Sequence, residues 1–244
     1  MTGAQKQQRI WEIDALRGFM ILCVIVAHAL YCGEYMLGMY RLPRWLNTFL
    51  FTYAGSLFVI LSGLSATLGH KSVKRGLVVF GCGMVLTLGS AVAAALGIVD
   101  KGFIIKFGVL HLLGLCMVLY PLLKRLPDMA LLVFGLAVIA LGYWFATFTV
   151  KAEWLFALGL VYPGFSSGDF FPVFPQLGWF CIGILLGRHF YADRQTRFPG
   201  VNADIWPIRV LCAIGRNTLP IFVCHLPVVG GVMYLLALAL ALGR

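Results

Sequence analysis

The chain has 244 residues, 61% of them hydrophobic and 11% charged, with a formal net charge of +10. So few charges cannot solvate a globular surface of that size, and the apolar residues come in blocks of ~20, which excludes a soluble domain and marks a polytopic membrane protein. The basic residues are scattered in short clusters between those blocks rather than gathered on one face, so they read as topology signals and not as a nucleic-acid surface.

The N-terminal segment carries charge without a separate apolar core and cleavage site, so the first helix is itself the insertion signal. Spans are expected near 18–35, 46–68, 76–98, 103–123, 129–149, 172–190 and 218–242, each close to the ~20 residues that cross a bilayer. Residues 154–162 are apolar but too short to span, and are expected at the outer interface or as a re-entrant piece. Residues 206–214 form a second interfacial piece. The expected fold is therefore all-α: one domain over 1–244, a helical bundle of about seven transmembrane helices with short interfacial segments.

Orientation follows from Lys and Arg. Lys6, Arg9, Arg17, Lys71, Lys74, Arg75, Lys124, Arg125, Arg188, Arg194, Arg197, Arg209 and Arg216 fall on one side, against Arg41, Arg44, Lys101, Lys106, Lys151 and Arg244 on the other. The excess places the N-terminus in the cytoplasm and the C-terminus outside, in a multi-pass protein of the inner (cytoplasmic) membrane. Seven cysteines form no C-x-x-C pair, and most lie inside spans as small hydrophobes, so neither a disulfide framework nor a metal site is expected.

The first span, "EIDALRGFMILCVIVAHAL", carries the strongest candidates. His28 follows Arg17 by eleven residues, about three helical turns, which puts both side chains on one face about 16 Å apart along the axis. Arg17 sits at the cytoplasmic mouth of that path, with Asp14 one turn earlier as helix cap or ion partner. His28 lies within the membrane, toward its outer half, where an ionisable residue is costly unless it faces a polar interior. The plainer account is a topogenic Arg paired with Asp14 and a His bonded to a neighbouring carbonyl.

The Asp-x-Leu-Arg-Gly opening, and an Arg followed after ten residues by a His, resemble the transmembrane acyltransferases that modify sugars with groups from acyl-CoA. "GSLFVILSGLSATLG" is similar to the LF-x-x-LSG stretch of that superfamily. "FGVLHLLGL" (107–115), "DFFPVFPQLGWFCIGILLGR" (169–188) and "IGRNTLPIFVCHLPV" (214–228) resemble the bacterial branch related to heparan-alpha-glucosaminide N-acetyltransferase, so the resemblance covers about 9–229. There is one departure. The heparan enzymes carry Asn at the position of His28 and a histidine in the following outer loop, whereas residues 32–47 here contain none. The departure shifts the catalytic role to His28.

The resemblance implies acetyl-CoA, or another short acyl-CoA, as donor substrate without a metal, and an extracytoplasmic sugar or glycan as acceptor. Arg17 suits the donor phosphates. A second cradle is expected at 215–220, where Arg216 adds charge to a helix start capped by Asn217 or Thr218. An ordinary capped helix with an inside-positive Arg accounts for that motif equally well. At the reacting end, a histidine removed from water favours its neutral form, the condition for a general base; a nucleophilic acyl-histidine route stays open. His111 and His225 are candidates to orient His28 or polarise the thioester carbonyl, with core packing as their alternative. Asp169 is the candidate for holding the acceptor. A small transporter for a polar or anionic solute is the alternative function, although no pair of matching interrupted helices supports it. A non-catalytic scaffold is the third class. The bilayer is the obligatory partner, and a homodimer is admitted.

Overall fold

Long runs without charge leave backbone N–H and C=O groups no partner in hydrocarbon except one another, and the local solution is the helix. The computed structural model describes residues 10–34, 38 and 40–242, and among them no strand forms. The helices are α1 (Trp11–Cys32), α2 (Arg44–Thr48), α3 (Gly55–Leu68), α4 (Ser72–Ala95), α5 (Val109–Leu123), α6 (Asp128–Phe145), α7 (Val173–Phe190), α8 (Trp206–Arg216) and α9 (Thr218–Leu242).

Four of these, α1, α4, α6 and α9, are long and apolar enough to cross a membrane, against the seven spans expected. The other three expected spans exist as helix but are shortened or interrupted. The run 44–68 passes through a π-helical stretch, Phe49–Ala54, between α2 and α3. Residues 103–108 are outside α5, because Gly108 is extended (φ −89°, ψ −177°) and the helix starts only at Val109. In α7, Phe174 is extended (φ −98°, ψ 126°), so regular helix begins at Pro175, a residue suited to a first turn. Residues 154–162 do not span either: Glu153–Leu158 is a short 3-10 turn, and Val150 N donates to Val161 O at 3.0 Å to close the loop.

The chain divides into two compact units, residues 1–58 with 189–244, and residues 59–188. In the first, α8 packs on α1 backbone to backbone. A Cβ on Gly18 would meet Leu211 O at 2.0 Å, and one on Gly215 would meet Asp14 O at 1.8 Å. Only glycine admits that approach, the small-residue contact that membrane helices use in place of a hydrophobic drive. The segment before α8 is tied to the start of α1. Glu12 accepts from Thr196 Oγ1 at 3.0 Å and from Arg197 N at 2.7 Å, and Trp11 meets Phe198 with ring centroids 6.4 Å apart.

In the second unit, α3 meets α7 at Gly63 and Gly183, and α4 meets α5 at Gly76 and Gly114, by the same close approach. Arg188, at the end of the "LLGR" motif, donates to Lys124 O at 2.7 Å, to Leu126 O at 3.0 Å and to Asp128 Oδ1 at 2.5 Å. It thereby ties α7 to the α5–α6 connection, satisfying carbonyls that the end of α5 leaves without intrahelical partners.

Candidate functional site

α1 is one unbroken helix over 22 residues, so it carries Arg17 and His28 on a single rigid axis, both half-buried. Its first residue is Trp11, which places Asp14 inside the first turn and not at the cap. The carboxylate there is buried, and another helix supplies an ion partner for it: Arg216 Nε donates to Asp14 Oδ2 at 3.2 Å. Next to this pair, burial and then the Asp14 charge push the Cys212 thiol up, and its protonated sulfur donates to Trp11 O at 3.3 Å.

His28 stands against His225 of α9. Their ring centroids are 5.0 Å apart at 70°, and His225 Nε2 is 3.4 Å from His28 Nδ1. The backbone assigns the tautomers. His28 Nδ1 is 2.9 Å from Val24 O, and His225 Nδ1 is 2.6 Å from Phe222 O. A carbonyl can only accept, so each Nδ1 bears the hydrogen. His225 Nε2 is then a lone pair facing His28 Nδ1–H, and His28 Nε2 is the other lone pair of the dyad, with no hydrogen bond among the described residues. His225 is buried and His28 half-buried, which leaves His28 as the more accessible of the two.

The start of α9 departs from expectation. Asn217 and Thr218 do not cap it: Asn217 Nδ2 donates to Ala213 O at 2.9 Å and Thr218 Oγ1 to Gly215 O at 2.6 Å. Both side chains turn back because α8 ends one residue earlier and its last carbonyls are the nearer unsatisfied groups. The plainer account of His28, a bond to a neighbouring carbonyl, holds as far as it goes; the second imidazole lies beyond it.

His111 and Asp169 lie together in the second unit, and both are committed to the start of α5. Gly108 N donates to His111 Nδ1 at 3.2 Å and Val109 N to Asp169 Oδ2 at 2.9 Å. Since His111 Nδ1 accepts, its hydrogen is on Nε2, which lies 3.3 Å from Thr87 Oγ1. Both ring nitrogens are therefore used, and Asp169 is buried. The contacts of Thr87, Arg188 and Glu12 and the Gly18–Gly215 crossing escaped the sequence reading. The glycines alone carried a signal, as small residues in apolar helices. Among the described residues no group of three or more His, Cys, Asp or Glu could hold a metal ion.

The family model for heparan-alpha-glucosaminide N-acetyltransferase, catalytic, matches residues 9–227. The chain belongs to that family. No curated protein and no solved structure matches it. Heparan-alpha-glucosaminide N-acetyltransferase membership together with the apolar helices makes this a membrane acetyltransferase, of a family named for an amino-sugar acceptor. The matched region contains Arg17 and both members of the His28–His225 dyad.

Proposed function

We propose that the protein transfers an acetyl or other short acyl group from cytoplasmic acyl-CoA to an amine or hydroxyl of a sugar-type acceptor on the extracytoplasmic side of the inner membrane, with His28 as general base. The observation that carries this reading is the hydrogen-bond lock on His28. Its Nδ1–H lies against Val24 O and His225 Nε2, which leaves Nε2 as the proton acceptor. The acceptor's nitrogen or oxygen adds to the thioester carbonyl as its proton passes to His28 Nε2. The C–S bond then breaks, and the thiolate leaves with that proton as free thiol. While His28 is cationic, its Nδ1–H faces two acceptors, so the charge formed during the reaction is stabilised where it appears. His225 supplies one of them and holds the ring.

In this reading the donor phosphates lie against Arg17 and Arg216, beside the start of α9, which neither Asn217 nor Thr218 caps. About 16 Å along α1 between Arg17 and His28 accommodates a slender pantetheine arm. Asp169 is the residue proposed to bind the acceptor.

The test is acetyl transfer by purified protein in nanodiscs, from labelled acetyl-CoA to glucosamine-type and hydroxyl acceptors. Wild type should transfer label and His28→Ala should not. Label held by the wild-type protein without acceptor, and absent from His28→Ala, would move His28 from base to nucleophile. Full activity of His28→Ala would overturn both versions.

A further inference from the structure

At the α1–α8 crossing a carboxylate and a guanidinium meet on unequal terms. Gly215 touches the backbone of α1 at Asp14, and Arg216 follows it directly. The Asp14 side chain is 11% exposed, whereas that of Arg216 is 48% exposed. Their contact uses Arg216 Nε, and among the described residues Nη1 and Nη2 make no hydrogen bond. A guanidinium frequently meets a carboxylate through two parallel N–H groups. Here one N–H is engaged from the buried side, and the terminal nitrogens are left over. Beside them, Asn217 and Thr218 spend their side chains on Ala213 O and Gly215 O, so neither covers the first amides of α9.

We propose that Asp14 is a positioning residue for the donor. It does not touch the ligand but holds Arg216 through Nε, so that the terminal nitrogens and the start of α9 together receive a phosphate ester. The inference rests on the acyl-CoA reading above, which makes that ester part of the donor's nucleotide end. An anionic lipid headgroup offers the same chemistry, and the test separates the two. A long Arg side chain at a membrane surface samples many directions; a buried carboxylate anchored by the Gly215 contact selects one. Donor selectivity then lies in the nucleotide and not in the thioester.

Adenosine 3′,5′-bisphosphate binding is measured by calorimetry, alongside kinetics with acetyl-CoA and with acetyl-pantetheine, which keeps the thioester and lacks the nucleotide. Arg216→Ala and Asp14→Asn should each weaken bisphosphate binding about tenfold, the scale of one charged hydrogen bond. Asp14→Asn/Arg216→Ala together should lose no more than the stronger single change. KM for acetyl-CoA should rise in step, and by several-fold more than KM for acetyl-pantetheine. Equal KM increases for both donors would reduce the pair to a structural ion pair, and fully additive losses would mean that Asp14 acts apart from Arg216. Should Asp14→Asn fail to fold, Arg216→Lys, which keeps the charge but lacks the Nε contact, must show the same loss. Nanodiscs with and without phosphatidylglycerol form the lipid arm. An Arg216 effect that follows the lipid and not the nucleotide overturns the donor assignment. Arg216-dependent nucleotide binding in a protein that acetylates nothing would uphold this site and sink the proposed reaction.

Discussion

His28 Nδ1 and His225 Nε2 meet at 3.4 Å between α1 and α9, with each ring's Nδ1–H anchored on a carbonyl of its own helix. Two residues 197 positions apart thus fix one tautomer between them. If His225 acts by holding His28 and its charge, His225→Ala should lower kcat by ~10-fold to ~100-fold and leave acyl-CoA affinity within a few-fold. Kinetics and calorimetry on the same preparation decide it, and equal losses in both would point to misfolding around α9.

His28→Ala should lower turnover by ~10² or more, the contribution of a positioned base, with acyl-CoA binding largely kept. Binding and turnover falling together would make His28 a packing residue.

Gly215→Ala places a methyl where Asp14 O lies 1.8 Å away, and Gly18→Ala repeats the clash at Leu211 O at 2.0 Å. Helix backbones cannot yield like a side-chain tip. Each change should destabilise by about 1 to 3 kcal/mol, read as a lower unfolding midpoint in detergent. Gly89→Ala meets nothing within 4 Å and should be neutral in the same assay.

His111→Ala and Asp169→Ala each strip an acceptor from an amide at the start of α5. A buried donor left unpaired costs about 1 to 3 kcal/mol, so both variants should melt earlier. If their role is confined to that helix start, KM for the sugar acceptor should stay within a few-fold; a selective rise for Asp169→Ala would assign it to the acceptor.

On a background without the native cysteines, impermeant thiol reagents added from outside should label cysteines placed at 163–170 and spare those at 192–204. The reverse pattern would put Arg216 on the face away from cytoplasmic acyl-CoA.

What the chain declares in one dimension is whatever a helix makes local. Composition and apolar block length specify membrane helices, and the helical repeat alone aligns Arg17 with His28, because their spacing needs no other element. Interruption of the spans at 46–68, 103–123 and 172–190 was harder to read, since the backbone breaks at Phe49–Ala54, Gly108 and Phe174 lie within apolar composition. Partnership across helices was legible only as candidates, His225 and His111 both being named to orient His28. Asp14 could be matched to Arg17 by spacing, but its pairing with Arg216 depends on the backbone approach at Gly215, and His225 reaches His28 only because α9 lies against α1. His111 and Asp169, candidates for chemistry in the sequence, also bind the amides of Gly108 and Val109, because a buried helix start must find acceptors and only the tertiary structure brings them there. Local periodicity places a side chain on a face; which face it meets is decided by where two backbones come close enough to touch.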